Sequence, residues 1–218
     1  MYTEDYLKDL LVRLAYHSSA IEGNTISLPE TVSIIVENAL PNQSKSIREF
    51  YEIENHKQAF AYLLEALDND ETLSVSMVKK IHALLTDRLQ HDRGQFKSSQ
   101  NAIVGAEFKT ASPQETPLLV SQWVDNILYR LEKQEEVLTV LADSHITFER
   151  IHPFSDGNGR TGRLILLFLA MKYLKTPVII NQEARAKYIE YLANQDTANL
   201  TLMLEESYQY EKERMMQF

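Results

Sequence analysis

Apolar residues recur along this chain at spacings of three and four, not two. Leu7, Leu10, Leu11, Leu14 and Ala15 form the first such stripe, and it predicts an amphipathic helix over residues 4–22. Gly23-Asn24 supplies its stop. Ser27-Leu28-Pro29-Glu30 combines a capping serine, a first-turn proline and a glutamate at the box position, opening a second helix that ends near Pro41. Ile47, Phe50, Tyr51, Glu54, Ala61 and Leu64 lie on turns of a third helix over 46–67, closed by Asp68-Asn69-Asp70. A fourth, over 74–89, puts Met77, Ile81, Leu84 and Leu85 on one face. Between 91 and 111 the pattern breaks. Gly94, Gly105 and the short runs Ala102-Ile103-Val104 and Glu107-Phe108-Lys109 predict two short strands around a turn. Ser112-Pro113-Gln114-Glu115 then reads as a capped helix start, followed by the stripe Leu118, Leu119, Trp123, Ile127, Leu131. The next helix spans 137–151. Leu164 to Leu174 is almost wholly apolar, the mark of a helix buried on every side. After a turn at Lys175-Thr176-Pro177, a helix from Asn181 carries Arg185, Tyr188 and Leu192, and Asp196 caps a last one reaching about Tyr210. With no repeat or linker, eight or nine helices and one hairpin make a single, mainly α domain.

Composition narrows the function classes. The net charge of −9, with no basic stripe interleaved with aromatics, argues against nucleic-acid binding. The chain has no cysteine, which excludes disulfides, thiolate metal sites and a thiol nucleophile. Its first residues, Met1-Tyr2-Thr3-Glu4-Asp5-Tyr6, are unlike a signal peptide, and the run Leu164–Met171 is too short to span a bilayer. A soluble, cytoplasmic protein is the expectation.

Chemistry concentrates in residues 151–163, Ile-His-Pro-Phe-Ser-Asp-Gly-Asn-Gly-Arg-Thr-Gly-Arg. Glycines where a loop enters a helix let backbone N–H groups converge on an anion. Arg160 and Arg163, three apart, add two guanidiniums at the helix start. Asp156 is an odd neighbour for a bare polyphosphate unless it holds a Mg²⁺ that the phosphates share. His152 is the group that can take a proton near neutral pH. Cradle, cation ligand, clamps and base add up to phosphoryl or nucleotidyl transfer.

The stretch matches His-Pro-Phe-x-(Asp/Glu)-Gly-Asn-Gly-Arg-x-x-Arg at every defined position, and the chain resembles the Fic family. The resemblance covers essentially the whole chain, because family members keep a β-hairpin flap ahead of the motif, where residues 94–111 stand. It implies a Fic-type helical domain that transfers AMP from ATP to a Tyr, Ser or Thr hydroxyl of a target protein. His152 would be the general base and Asp156 the Mg²⁺ ligand. Gly157, Asn158 and Gly159 would cradle the phosphates, the last two steps of the clamp being Arg160 on the β-phosphate and Arg163 on the γ-phosphate. The target would dock on the flap, 94–111, as an added strand. The adenine pocket would involve residues 185–192, with Tyr188 and Tyr191 stacking on the base or themselves modified. Phe154 and His145 read as core.

Ser18-x-x-x-Glu22-Gly23 is similar to the family's inhibitory motif, (Ser/Thr)-x-x-x-Glu-(Gly/Asn). The resemblance makes residues 1–24 an inhibitory helix whose Glu22 pairs with Arg163 and misplaces the ATP phosphates. Glu22 also keeps open an AMP-removing hydrolase, or a bifunctional enzyme. A Doc-like kinase, a nucleotide-binding module without catalysis and a toxin–antitoxin component rank below, and self-association that frees or locks the first helix is a further option.

Overall fold

Helix α7 (Asn158–Leu174) runs through the middle of the molecule, as its apolar sequence requires. Every residue from Leu164 to Met171 is 3% exposed or less. The surrounding helices each turn one apolar stripe towards it. The computed structural model describes residues 2–40, 45–102 and 108–218. Four helices pack on α7: α1 (Glu4–Ile21), α3 (Ile47–Asp68), α4 (Val75–Leu85) and α6 (Val137–Ile151). Helices α5 (Thr116–Glu132) and α9 (Thr197–Met215) cover α6, and α8 (Arg185–Asn194) leans on α9 after a 3₁₀ turn at Gln182–Ala184. Between α1 and α3, α2 (Leu28–Glu37) closes a smaller apolar cluster around Val12, Ala15, Ile26, Ile34, Ile35 and Ile53. No described helix is long and apolar enough to cross a membrane.

Local chemistry sets most boundaries. Reciprocal capping boxes form at Ser27/Glu30 and Ser46/Glu49, each satisfying two otherwise free N–H groups. Other ends move from the pattern. Helix α2 stops at Glu37 because Asn38 takes the left-handed conformation, and α4 ends at Leu85, where the Thr86 hydroxyl donates back to His82 O. Ser112 and Glu115 do exchange box hydrogen bonds, but the helix itself begins at Thr116. The hairpin expected over 94–111 is not seen among the described residues, and 103–107 lie outside them. Lys97, Gln100, Asn101 and Thr110 are instead tied by side-chain hydrogen bonds, several to the loop after α6.

Helix α1 belongs to the core. Tyr6, Leu10, Leu14 and Ile21 are buried in the main apolar cluster. Its outer edge is fastened to α9: the Tyr6 hydroxyl donates to Glu211 Oε2 at 2.7 Å, and Arg13 pairs with both Glu211 and Asp9. Arg214 of α9 reaches back to Asp9. Truncating Leu10 to Ala, at 0% exposure, is expected to cost about 2–5 kcal/mol in denaturant unfolding. A loss below about 1 kcal/mol would mean that α1 only rests on the surface.

Candidate active site

Helix α6 delivers the chain into the site and must end there, because a residue before proline is pushed out of the α conformation. His152, ahead of Pro153, caps α6 in the left-handed region at φ 50°, ψ 60°. A side chain rarely adopts this conformation, which persists only when its surroundings impose it. The ring is half-buried, and its Nδ1 lies 3.2 Å from the Glu149 carbonyl oxygen. A carbonyl only accepts, so Nδ1 carries the proton and Nε2 is left with its lone pair. Burial pushes the His152 pKa below its usual value, and the Lys97 ammonium acts in the same direction.

The loop that follows is tied from several sides. Phe154 is fully buried and stacks on His82 with ring centroids 3.7 Å apart. His82 accepts from Gly94 N–H at Nδ1, so its Nε2 donates to the Asp156 carbonyl at 3.0 Å. Burial brings the His82 pKa down to about 4, keeping it neutral in this role. Asn158 closes the loop on itself: its Oδ1 accepts from Phe154 N–H and its Nδ2 donates to Phe154 O. Each end of its amide is thus engaged within the loop, with one Nδ2 hydrogen beyond these bonds. Gly157, at φ 78°, leads into α7, and a Cβ there would stand 2.9 Å from Thr86 Cγ2. Only glycine meets both demands.

Helix α7 starts with no side-chain cap, so its first turn presents the positive end of the helix dipole. The Glu22 carboxylate lies over that turn, close enough that a Cβ on Gly159 would collide with Oε1. Glu22 Oε1 accepts from Arg163 Nη2 at 2.6 Å. Arg163 is 4% exposed and also donates to Ser18, from Nη2 to the carbonyl and from Nε to the hydroxyl. Burial raises the Glu22 pKa, but the charge and hydrogen bond of Arg163 outweigh it and hold the carboxyl below its usual value. Gly23 follows at φ 97°, and Arg185 of α8 donates to the Ile21 carbonyl at the end of α1.

Arg160 is 3% exposed, and its Nη1 has no hydrogen-bond partner among the described residues. Such a buried, unmatched donor beside a helix start is suited to a phosphate oxygen. Asp156 is half-exposed; Oδ1 accepts from Gly157 N–H and Oδ2 from Arg48 Nη2 at 2.7 Å. Arg48 in turn pairs with Glu52, which accepts from Asn24 just beyond Glu22. Among the described residues no three His, Cys, Asp or Glu side chains gather as a metal cage. One accessible carboxylate fits Mg²⁺, which commonly takes a protein carboxylate or two and leaves its other positions to water and phosphates.

Two tyrosines part company. Tyr188 is 1% exposed, with its hydroxyl 2.7 Å from His145 Nε2 and its other contact to Arg163, so it offers no face to a base. Its expected stacking role is corrected by that burial; it backs Arg163 instead. Tyr191 is half-buried on the edge of an open cleft of about 570 Å³ with Lys187, Asn199 and Leu202. His145 and Phe154 are core residues, as their setting implied.

Sequence reasoning missed Arg48, His82, Lys97, Asn101 and Glu149. Glu149 is 7% exposed with Oε1 unpartnered among the described residues, and burial raises its pKa to about 8 despite Arg163 nearby. Its one sequence signal is a carboxylate among apolar positions of α6.

A family model described as the Fic/DOC family matches residues 72–170. A protein adenylyltransferase Fic from Aedes aegypti is 32% identical over 187 residues, covering 85% of this chain and 37% of that protein. The chain therefore spans a little over a third of the length of this curated relative. Among solved structures, a Fic domain containing signaling protein from Bacteroides thetaiotaomicron superposes with a TM-score of 0.80 at 22% identity, covering 97% of this chain and 92% of that one. Fic-1 from C. elegans gives 0.80 at 24% identity, covering 99% and 66%. At these identities the structural matches establish the fold.

A carboxyl with a raised pKa holds a proton in the folded state that the unfolded chain has released. Its contribution to stability is present at acid pH and fades as pH rises from about 4.5 to about 8. The Glu149→Gln protein should therefore gain on wild type across that window, by up to about 1.4 kcal/mol per pH unit. Denaturant unfolding of both proteins at pH 5 and pH 8 checks this, and a constant difference would refute it.

Proposed function

The chain carries a Fic domain, and on that premise we propose that it is a protein adenylyltransferase, moving AMP from ATP to a hydroxyl of a target protein. The observation that carries the reading is the convergence on one loop of a neutral imidazole with a free Nε2, an uncapped helix start and two buried guanidiniums. His152 Nε2 takes the proton of a target Tyr, Ser or Thr hydroxyl as its oxygen attacks the α-phosphorus. The bond to the β-phosphate bridging oxygen breaks, and pyrophosphate leaves. The first turn of α7, with Arg160 and Arg163, receives the phosphate oxygens and their developing charge. Asp156 would hold Mg²⁺, which when bound offsets the charge of the triphosphate. Target recognition falls to residues 94–111, ahead of the motif.

Glu22 is the resident anion of this cradle. Its carboxylate lies over the helix start and against Arg163, where a terminal phosphate is expected, so ATP must share or displace it. Transfer by the native chain is therefore held low, because in-line attack tolerates little misplacement. Arg48 on Asp156 adds a second contact that a metal ion has to replace.

Intact mass after incubation with ATP and Mg²⁺ tests the reading. The Glu22→Gly protein is expected to gain the mass of AMP at least tenfold faster than wild type, and Glu22→Gly with His152→Ala to lose that gain by a hundredfold or more. A gain of phosphate mass in place of AMP would overturn it in favour of a kinase. Removal of AMP from a modified target by wild type, and not by Glu22→Gly, would bring in the hydrolytic reading.

A further inference from the structure

Four consecutive carbonyls, from Ile151 to Phe154, carry the turn out of α6, and all four accept hydrogen bonds from Lys97 or Asn101. Lys97 Nζ donates to Ile151 O at 3.1 Å and Lys97 N–H to Pro153 O at 2.9 Å. Asn101 Nδ2 donates to His152 O at 3.1 Å and to Phe154 O at 2.7 Å. The two residues are themselves joined, Lys97 Nζ to Asn101 Oδ1, at 2.8 Å. His152 stands in the middle of this brace, in a backbone conformation that its own side chain disfavours.

The choice of lysine is unusual for a tie. Lys97 is 3% exposed, and its three acceptors, Asn101 Oδ1, Thr110 Oγ1 and Ile151 O, are all neutral. Among the described residues no carboxylate lies within ion-pair distance of it. Burying an unpaired charge is costly, and burial alone lowers its pKa to about 8. A neutral amide has two N–H donors and a hydroxyl one, so the ammonium alone reaches all three acceptors, and its charge comes with them. What the ammonium also brings is a positive charge at the last carbonyl of α6, favourable with the helix dipole there and one residue ahead of His152.

We propose that Lys97 and Asn101 are positioning residues for His152: together they impose its left-handed backbone, and the Lys97 charge keeps the imidazole in the neutral, proton-accepting form. This rests on the reading of His152 as the general base. Four groups act on that ring. Lys97, from the segment before α5, opposes a second proton, while Glu22 at the end of α1 and Asp156 in the loop favour one. Glu149, on the last turn of α6, fixes Nδ1 through its carbonyl.

The test has a spectroscopic and a kinetic arm, so the brace and the general-base reading fail separately. Imidazole titrations of the full chain are followed by NMR, with the His152 signal identified by its loss in His152→Ala. Lys97→Met, which keeps the length and removes the charge, should raise the His152 pKa by about half a unit or more, and Lys97→Arg should stay near wild type. In the Glu22→Gly background, Lys97→Met should lower kcat for AMP transfer about tenfold, with KM for ATP within about twofold, and shift the acid limb of the pH profile upward. Asn101→Ala should lower kcat without moving the titration. Should Lys97→Met not fold, Lys97→Gln carries the same expectation. A His152 titration that superimposes on wild type in the charge-free variant overturns the electrostatic half, and an unchanged kcat in both Lys97 and Asn101 variants overturns the brace. If Glu22→Gly itself transfers nothing, the adenylyltransferase reading fails while the NMR arm still decides for or against Lys97.

Discussion

A guanidinium buried among helices must find acceptors, and Arg163 finds them at the end of α1 and on α8. It holds the end of α1 through Ser18 and Glu22, it rests on Tyr188 of α8, and Tyr188 passes the contact to His145 of α6. Because Arg163 sits on the second turn of α7, these contacts fix the helix start relative to everything around it. Two of its acceptors are permanent parts of the fold, the Ser18 carbonyl and hydroxyl. Glu22 is the one of its four acceptors that is half-exposed to solvent, at 42% of its side chain. The arginine can thus exchange one anion for another without losing its place.

The loop after α6 shows the same economy of neutral groups. His82 and Asn158 grip it through backbone atoms, and neither carries charge there. Lys97 is the charged exception, holding the Ile151 carbonyl through its ammonium. Glu149 stands apart, a protonated acid at the back of Arg163 whose free oxygen has no acceptor or donor among the described residues.

How much of this was legible in the chain depends on whether a residue acts through its neighbours in sequence or in space. The motif at 151–163 was legible because one short segment carries its glycines, histidine, carboxylate and arginines. The central helix was legible from an apolar run with no polar face, and the boxes at Ser27 and Ser46 from their spacing. Arg48, His82 and Lys97 were not, since each reaches the loop from 50 or more residues away and looks, in its own helix or segment, like an ordinary polar position. Tyr188 misled for a related reason: helical spacing says which face a residue is on, not whether that face meets a ligand or a buried arginine. The strands expected at 102–104 and 107–109 fall largely on residues 103–107, outside the described ones, while Asn101 beside them is tied to Phe154 O.

The carboxylate over the α7 start is carried by a helix whose other turns are core, fastened at the far end by Tyr6 and Arg13 to Glu211. Lifting that helix away would expose its buried stripe of Tyr6, Leu10, Leu14 and Ile21. Turning the Glu22 side chain exposes almost none, and side-chain rotations at exposed positions take picoseconds to nanoseconds. Access to Arg163 is then a matter of how rotamers of one residue are populated. An anion that competes for the guanidinium shifts that population by mass action, continuously with its concentration, and the fold beneath it does not have to open.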